Sequence, residues 1–99
     1  MEIKQTKDGQ KLTVALSGRL DTTSAPQLEE ALTSALDGVK ELVFDFNQIE
    51  YISSAGLRIL LSTQKKMGAQ GASMKLVGVN DVVREVFEVT GFINILTLE

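Results

Sequence analysis

An uninterrupted apolar run, Leu42-Val43-Phe44, lies between two segments whose apolar residues recur with helical spacing. A strand that is apolar without alternation is typical of a central position in a parallel sheet, covered on both faces. The segment before the run has apolar residues at i, i+3, i+4, i+7 and i+8 from Leu28 to Leu36, and a similar pattern follows from Leu57 to Met67. Helices before and after a strand imply right-handed crossover connections. The run therefore predicts an α/β fold with a mostly parallel, mixed β-sheet.

Turn and capping residues divide the rest of the chain into elements. Asp8-Gly9 predicts a type I′ turn, which makes an antiparallel hairpin at the N-terminus. Ser24 with Gln27 predicts a capping box at the first helix, while Asn80 and Gly91 predict the start and the end of the last helix. The predicted order is β-β-α-β-α-β-α-β, with strands at 3–6, 11–17, 41–46, 73–77 and 93–98, and with helices at 24–37, 54–68 and 80–91.

Composition narrows the function classes. We expect one domain, residues 1–99, because a single core typically serves roughly 100–150 residues. The chain has no cysteine and no histidine, so we expect neither an enzyme nor a cofactor or metal site. A net charge of −3 argues against nucleic acid as a partner. Short apolar runs and an N-terminus unlike a signal peptide predict a cytoplasmic protein without membrane insertion, and we expect a monomer.

Two polar segments follow predicted strands and precede predicted helices, which is where α/β folds bind ligands and partners. One is Asp21–Ser24 and the other is Ile52–Leu57, with the sequence ISSAGL. A serine at the start of a helix usually caps it, which contributes about 1 kcal/mol. Here Ser53 and Ser54 are adjacent, so one can cap the helix while the other stays free beside two small residues. Because a helix N-terminus stabilises negative charge, a phosphoserine at this position would be compatible with the fold.

Other sites that these residue types could form are disfavoured. A hydrolase nucleophile elbow needs Gly-x-Ser-x-Gly and a base, but position 52 is isoleucine, and Lys65 and Lys66 lie about three turns along the same helix. The stretch from Gly68 to Gly71 lacks the Lys-Ser/Thr of a P-loop and follows a helix, so we interpret it as a connector. The carboxylates without metal-ligand spacing are interpreted as solvated or structural: Asp21, Asp45, Glu50 and Asp81.

The segment Tyr51–Leu57, YISSAGL, resembles the phosphorylation-site motif of the STAS domains, specifically of the bacterial anti-sigma factor antagonists. Other segments resemble the same family in the same order. Leu16–Asp21 with Ser24–Leu28 is similar to its G-x-L-D … A-P-x-L segment. Val43–Phe46 is similar to its central strand, and Val89–Phe92 to its T-G helix end. The resemblance covers essentially all 99 residues, and the order and spacing of the motifs make it fairly specific.

This resemblance implies a binding module that phosphorylation controls. In the family, the unphosphorylated antagonist binds an anti-sigma factor that is itself a serine kinase, and this frees a sigma factor for transcription. The kinase uses ATP to phosphorylate the serine that corresponds to Ser54, and a dedicated serine phosphatase removes the phosphate. By resemblance, the partner-binding rim comprises Ser54 itself and the residues around it: Asp21, Thr22, Thr23, Ser53, Ala55, Gly56 and Arg58.

Two alternatives stay open at this point. Many family members have aspartate immediately before the phosphorylated serine, whereas this chain has Ser53. That difference removes one negative charge and offers a second hydroxyl, so Ser53 is the second candidate for modification. STAS domains also act as non-switching modules in stress-signalling assemblies, beside anion transporters and in lipid-transport complexes, where the serine need not be phosphorylated. The second interpretation is therefore a scaffold without a phosphorylation switch.

Overall fold

A computed structural model describes all 99 residues and contains one four-stranded sheet, three α-helices and a short 3₁₀ turn. The strands are β1 (Glu2–Asp8), β2 (Lys11–Leu20), β3 (Glu41–Ile52) and β4 (Ser73–Val77), and the helices are α1 (Ala25–Leu32), α2 (Ser54–Ala69) and α3 (Asp81–Thr90). The spatial order is β1-β2-β3-β4, with β1 antiparallel to β2 and the other pairs parallel. The predicted fold class, a mostly parallel mixed sheet with an N-terminal hairpin, is confirmed.

The hydrophobic core lies on one face of the sheet. A cluster of 22 buried apolar residues contains side chains from all three helices and from β2, β3 and β4. Val43 is the one buried apolar residue outside this cluster, so it points to the opposite face. Its neighbours in the sheet are Thr13 and Lys75. The apolar run thus marks the central strand as predicted, but helices cover only one of its faces.

Several predicted boundaries differ from the structure. β1 spans Glu2–Asp8 rather than 3–6, and β2 continues past 17 to Leu20. β3 continues past the predicted end at 46 to Ile52. The sequence did not reveal this extension because register shifts opposite β2 interrupt the alternation of apolar and polar residues that is typical of a strand. α1 ends at Leu32, and residues 33–38 form turns, although Leu36 still packs into the core. The last predicted strand is reduced to the 3₁₀ turn Phe92–Asn94 and a single parallel bridge between Leu98 and Leu76.

Local turn and cap chemistry agrees with prediction at α3 and differs at two other places. The Asn80 side chain accepts a hydrogen bond from the Val83 amide at 2.8 Å, and Gly91 ends the helix with φ 81°. The hairpin loop has positive φ only at Gly9 (62°), which is the pattern of a type II′ rather than a type I′ turn. Ser24 makes no side-chain cap bond to α1, so the predicted capping box is wrong.

Gly56 determines how closely α2 approaches the sheet. A Cβ atom at this position would lie 2.7 Å from Leu20 Cγ, 2.8 Å from Ile52 Cγ1 and 3.0 Å from the Leu20 carbonyl oxygen. Only a residue without a side chain fits there. The first turn of α2 therefore rests directly on the carboxyl ends of β2 and β3.

We predict that Gly56→Ala lowers the free energy of unfolding by about 1–3 kcal/mol, because the added methyl group overpacks the contact with Leu20 and Ile52. Gly68→Ala is the matched control in the same helix, since a Cβ there meets no atom within 4 Å. That change should be neutral or stabilising by up to about 1 kcal/mol. Urea unfolding of both variants measures the difference, and an equal effect at both positions would contradict the close-contact explanation.

Candidate functional site

The two polar segments expected to carry function meet at one edge of the sheet. Leu20 at the end of β2 pairs with Ile52 at the end of β3, and the Ser53 amide donates to the Leu20 carbonyl at 2.9 Å. Residues 21–24 lead from this point into α1, and Ser53 leads into α2. A groove between the two helices is lined on one side by Thr22 and on the other by Ala55 and Arg58, together with Ala25, Pro26, Glu29, Ile59 and Ser62.

The two adjacent serines have opposite environments. Ser53 occupies the N-cap position of α2 with extended backbone (φ −103°, ψ 176°). Its hydroxyl oxygen is buried, and it makes no hydrogen bond within the chain, so the expected side-chain cap is not formed. Ser54 is the first residue of α2 and is exposed. Of the two serines that the sequence offered as candidates for modification, Ser54 is the exposed one.

Asp21 carries an ionised carboxylate held in place by its own loop. Its Oδ1 accepts hydrogen bonds from the Thr23 hydroxyl (2.7 Å), the Thr23 amide (3.1 Å) and the Ser24 amide (3.2 Å). Its Oδ2 lies 3.7 Å from Arg19 Nε. These hydrogen bonds, the one from the Thr23 hydroxyl above all, hold the pKa of Asp21 below its usual value of 3.8. The edge of the site therefore bears a fixed negative charge at neutral pH.

Arg19 and Tyr51 form a second feature of this edge to which the sequence had assigned no role. They are register partners on β2 and β3, and the Arg19 guanidinium carbon lies 4.6 Å from the centre of the Tyr51 ring. This is the geometry of a cation–π contact. The pairing depends on the register shifts between β2 and β3, so the spacing of residues along the chain gives no signal for it.

The remaining predicted rim residues differ in accessibility. Thr22, Thr23 and Arg58 are exposed, and Ala55 is half-buried. Gly56 is buried, so its contribution is to let the backbone of α2 approach the sheet rather than to present a side chain. Ser24, which was predicted as a helix cap within the polar segment Asp21–Ser24, is 7% exposed and bonds to the loop beside Asp21.

The carboxylates that were interpreted as solvated or structural do not converge. Asp45 accepts hydrogen bonds from the amide and side chain of Asn47 within β3, and Asp81 is the first residue of α3. No group of three or more acidic side chains is placed to hold a metal ion.

None of the helices combines the length and apolar character that crossing a membrane requires.

These observations define a small α/β domain whose polar site lies where two parallel strands end and two helices begin. The sequence profile of the STAS domain matches residues 2–99, and the chain belongs to this family. The resemblance inferred from the motifs is thereby confirmed.

Relatives that match more than nine-tenths of the chain bear related names. A Bordetella bronchiseptica protein provisionally named anti-sigma factor antagonist BtrV is 35% identical over 96 residues, which are 96% of this chain and 83% of that protein. The anti-sigma-B factor antagonist of Staphylococcus aureus is 29% identical over 92 residues, which are 92% of this chain and 85% of that protein.

Solved structures share the fold. The anti-sigma factor antagonist SpoIIAA in its unphosphorylated form superposes with a TM-score of 0.86 at 18% identity, covering 99% of this chain and 88% of that one. The Bacillus cell fate determinant SpoIIAA in its phosphorylated form gives a TM-score of 0.77 at 17% identity, covering 99% and 91% of the two chains. At these identities the likeness concerns the fold.

We predict that Thr23→Val raises the pKa of Asp21, because the largest stabilisation of its carboxylate comes from the Thr23 hydroxyl. Since folding lowers this pKa, ionised Asp21 stabilises the native state above about pH 3.8, and that contribution is lost as the pH falls through the folded pKa. Thr22→Val is the matched control, because Thr22 is exposed and the structure shows no hydrogen bond from its hydroxyl. Titration of the Asp21 carboxyl carbon by NMR reads out both variants, and an unchanged pKa in Thr23→Val would contradict the prediction.

Proposed function

We propose that this chain is an anti-sigma factor antagonist whose unphosphorylated form binds an anti-sigma factor and whose phosphorylation at Ser54 ends that binding. The observation that carries the proposal is the contrast between the two serines at the start of α2. Ser54 is exposed, whereas the hydroxyl oxygen of Ser53 is buried. The names of the relatives from Bordetella bronchiseptica and Staphylococcus aureus, which match more than nine-tenths of this chain, support the choice of partner.

The chain acts as the substrate of the phosphotransfer rather than as its catalyst. The Ser54 hydroxyl oxygen attacks the γ-phosphorus of ATP, a new O–P bond forms, and the bond from that phosphorus to the β,γ-bridging oxygen breaks to release ADP. The hydroxyl proton passes to a general base that the kinase supplies. The exposed position of Ser54 lets the kinase active site reach the hydroxyl without unfolding α2.

Phosphate at Ser54 opposes binding through charge and hydration. A phosphoserine carries about −1.5 to −2 charges at pH 7, and it would stand on the same edge as the ionised Asp21 carboxylate. Leaving such a group partly desolvated without a partner costs several kcal/mol, and every 1.4 kcal/mol is a tenfold loss of affinity. The fold itself tolerates the modification, because the α2 N-terminus favours negative charge.

The rim that meets the partner comprises the exposed and half-buried residues around Ser54, with the backbone at Gly56 setting its shape. The anti-sigma factor is itself the serine kinase. A serine phosphatase removes the phosphate and restores the form that binds. When this chain binds the anti-sigma factor, a sigma factor is released for transcription. The chain works as a monomer in the cytoplasm, where ATP and the transcription machinery are available.

Incubation with the cognate kinase and ATP should add one phosphate to the wild-type chain at Ser54. Ser54→Ala should abolish the modification. Ser53→Ala is the matched control and should retain it, because the Ser53 hydroxyl makes no hydrogen bond that the substitution would remove. Mass spectrometry with peptide mapping reads out the site. Loss in Ser53→Ala with retention in Ser54→Ala would move the site to Ser53, and no modification in any variant would favour the non-switching scaffold.

Ser54→Asp should weaken binding of the cognate anti-sigma factor by at least about tenfold, because it brings an unpaired charge into the interface. Ser54→Asn is the matched control of nearly equal size without the charge, and it should bind much more tightly than Ser54→Asp. Isothermal titration calorimetry measures the affinities, and circular dichroism of both variants should stay native. Wild-type affinity in Ser54→Asp would refute the charge mechanism.

A further inference from the structure

The hydroxyl of Ser24 connects two parts of the chain beside the rim. It donates to the Arg19 carbonyl oxygen at 2.6 Å and accepts from the Asp21 amide at 2.9 Å. Its distances to Asp21 Oδ1 (3.3 Å) and to the Asp21 carbonyl oxygen (3.5 Å) are longer. Because a hydroxyl has one proton, the short contact to Arg19 takes it. Ser24 therefore bridges the end of β2 and the loop that follows.

This bridge closes the loop around the Asp21 carboxylate. The Thr23 and Ser24 amides then point at Asp21 Oδ1, and the Asp21 carbonyl oxygen accepts from the Ala25 amide at 2.8 Å. Oδ1 of Asp21 thus already accepts hydrogen bonds from within its own loop. Oδ2 has only the longer contact to Arg19 at 3.7 Å, and Arg19 is also stacked on Tyr51.

We propose that Ser24 is a positioning residue, whose buried hydroxyl fixes the loop so that Asp21 offers Oδ2 to a hydrogen-bond donor or cationic side chain of the binding partner. The identity of that partner rests on the proposed function, whereas the positioning of Asp21 does not. A residue with a purely structural role would affect stability alone. Ser24 instead sets the hydrogen bonding, and hence the acidity, of a neighbouring carboxylate.

Ser24→Ala tests the positioning step in the full chain. The loss of the bridge should loosen the bonds from the Thr23 and Ser24 amides, so the pKa of Asp21 should rise toward 3.8. Ser24→Thr restores a hydroxyl and should return the pKa toward the wild-type value. Ser34→Ala, at an exposed serine in the turn after α1, is the matched control and should leave it unchanged. An unchanged Asp21 pKa in folded Ser24→Ala, measured by carboxyl NMR titration, would overturn the proposal.

Two further measurements complete the test. If Ser24→Ala does not fold, hydrogen exchange of the wild-type chain decides instead, because the Asp21 amide bonded to Ser24 should exchange much more slowly than the Thr22 amide, for which the structure shows no hydrogen bond. Equal exchange would overturn the bridge.

In the folded variant, binding of the unphosphorylated chain to the cognate anti-sigma factor should weaken by about tenfold, as for a misaligned charge-assisted hydrogen bond. Wild-type affinity with a raised pKa would overturn the partner contact, and neither NMR result depends on Ser54 phosphorylation.

Discussion

The close contact between the first turn of α2 and the ends of β2 and β3 is the constraint on which the site depends. Gly56 permits it, because any side chain there would collide with Leu20 and Ile52. With the backbone of α2 held against the sheet, the Ser53 amide reaches the Leu20 carbonyl, and the Ser53 hydroxyl oxygen is buried. Ser54, one residue further around the helix, is left on the surface. A packing requirement of the core thus separates two chemically identical side chains into one that is enclosed and one that is accessible.

The electrostatics of the site follow from the same junction. The chain leaves β2 at Leu20 and turns at once into a loop whose amides and Thr23 hydroxyl keep Asp21 ionised. A fixed charge costs little reorganisation when a partner binds, because its hydrogen bonds are already formed. It also means that a phosphate added at the start of α2 increases a negative charge that is already present. In the proposed switch, binding and its loss on phosphorylation would therefore share one end of the sheet, with no large change of fold required.

Much of the architecture was predictable because local patterns and tertiary packing agree. Asn80 and Gly91 bound α3 as predicted, because side-chain capping and left-handed glycine geometry are local properties. Apart from the turn type at Gly9, the errors fall where long-range contacts override local preference. Ser24 has the sequence of a helix cap, but its hydroxyl bonds to the strand end at Arg19 instead. β3 extends beyond its apolar run because pairing with β2 continues through register shifts, which no periodic pattern along the chain reveals.

The sequence by itself determined the family, the fold class and the two segments that form the site, because motif order, apolar periodicity and the placement of loops after strands are properties of the chain read in one dimension. By resemblance it favoured Ser54 over Ser53 as the modified serine, but it could not show which of the two is exposed, since both are serines at the start of the same helix. Nor could it show the contact of Arg19 with Tyr51 or the bridge made by Ser24. The tertiary structure decided these points, because burial and hydrogen bonding depend on which strand ends and helix turns are brought together in space.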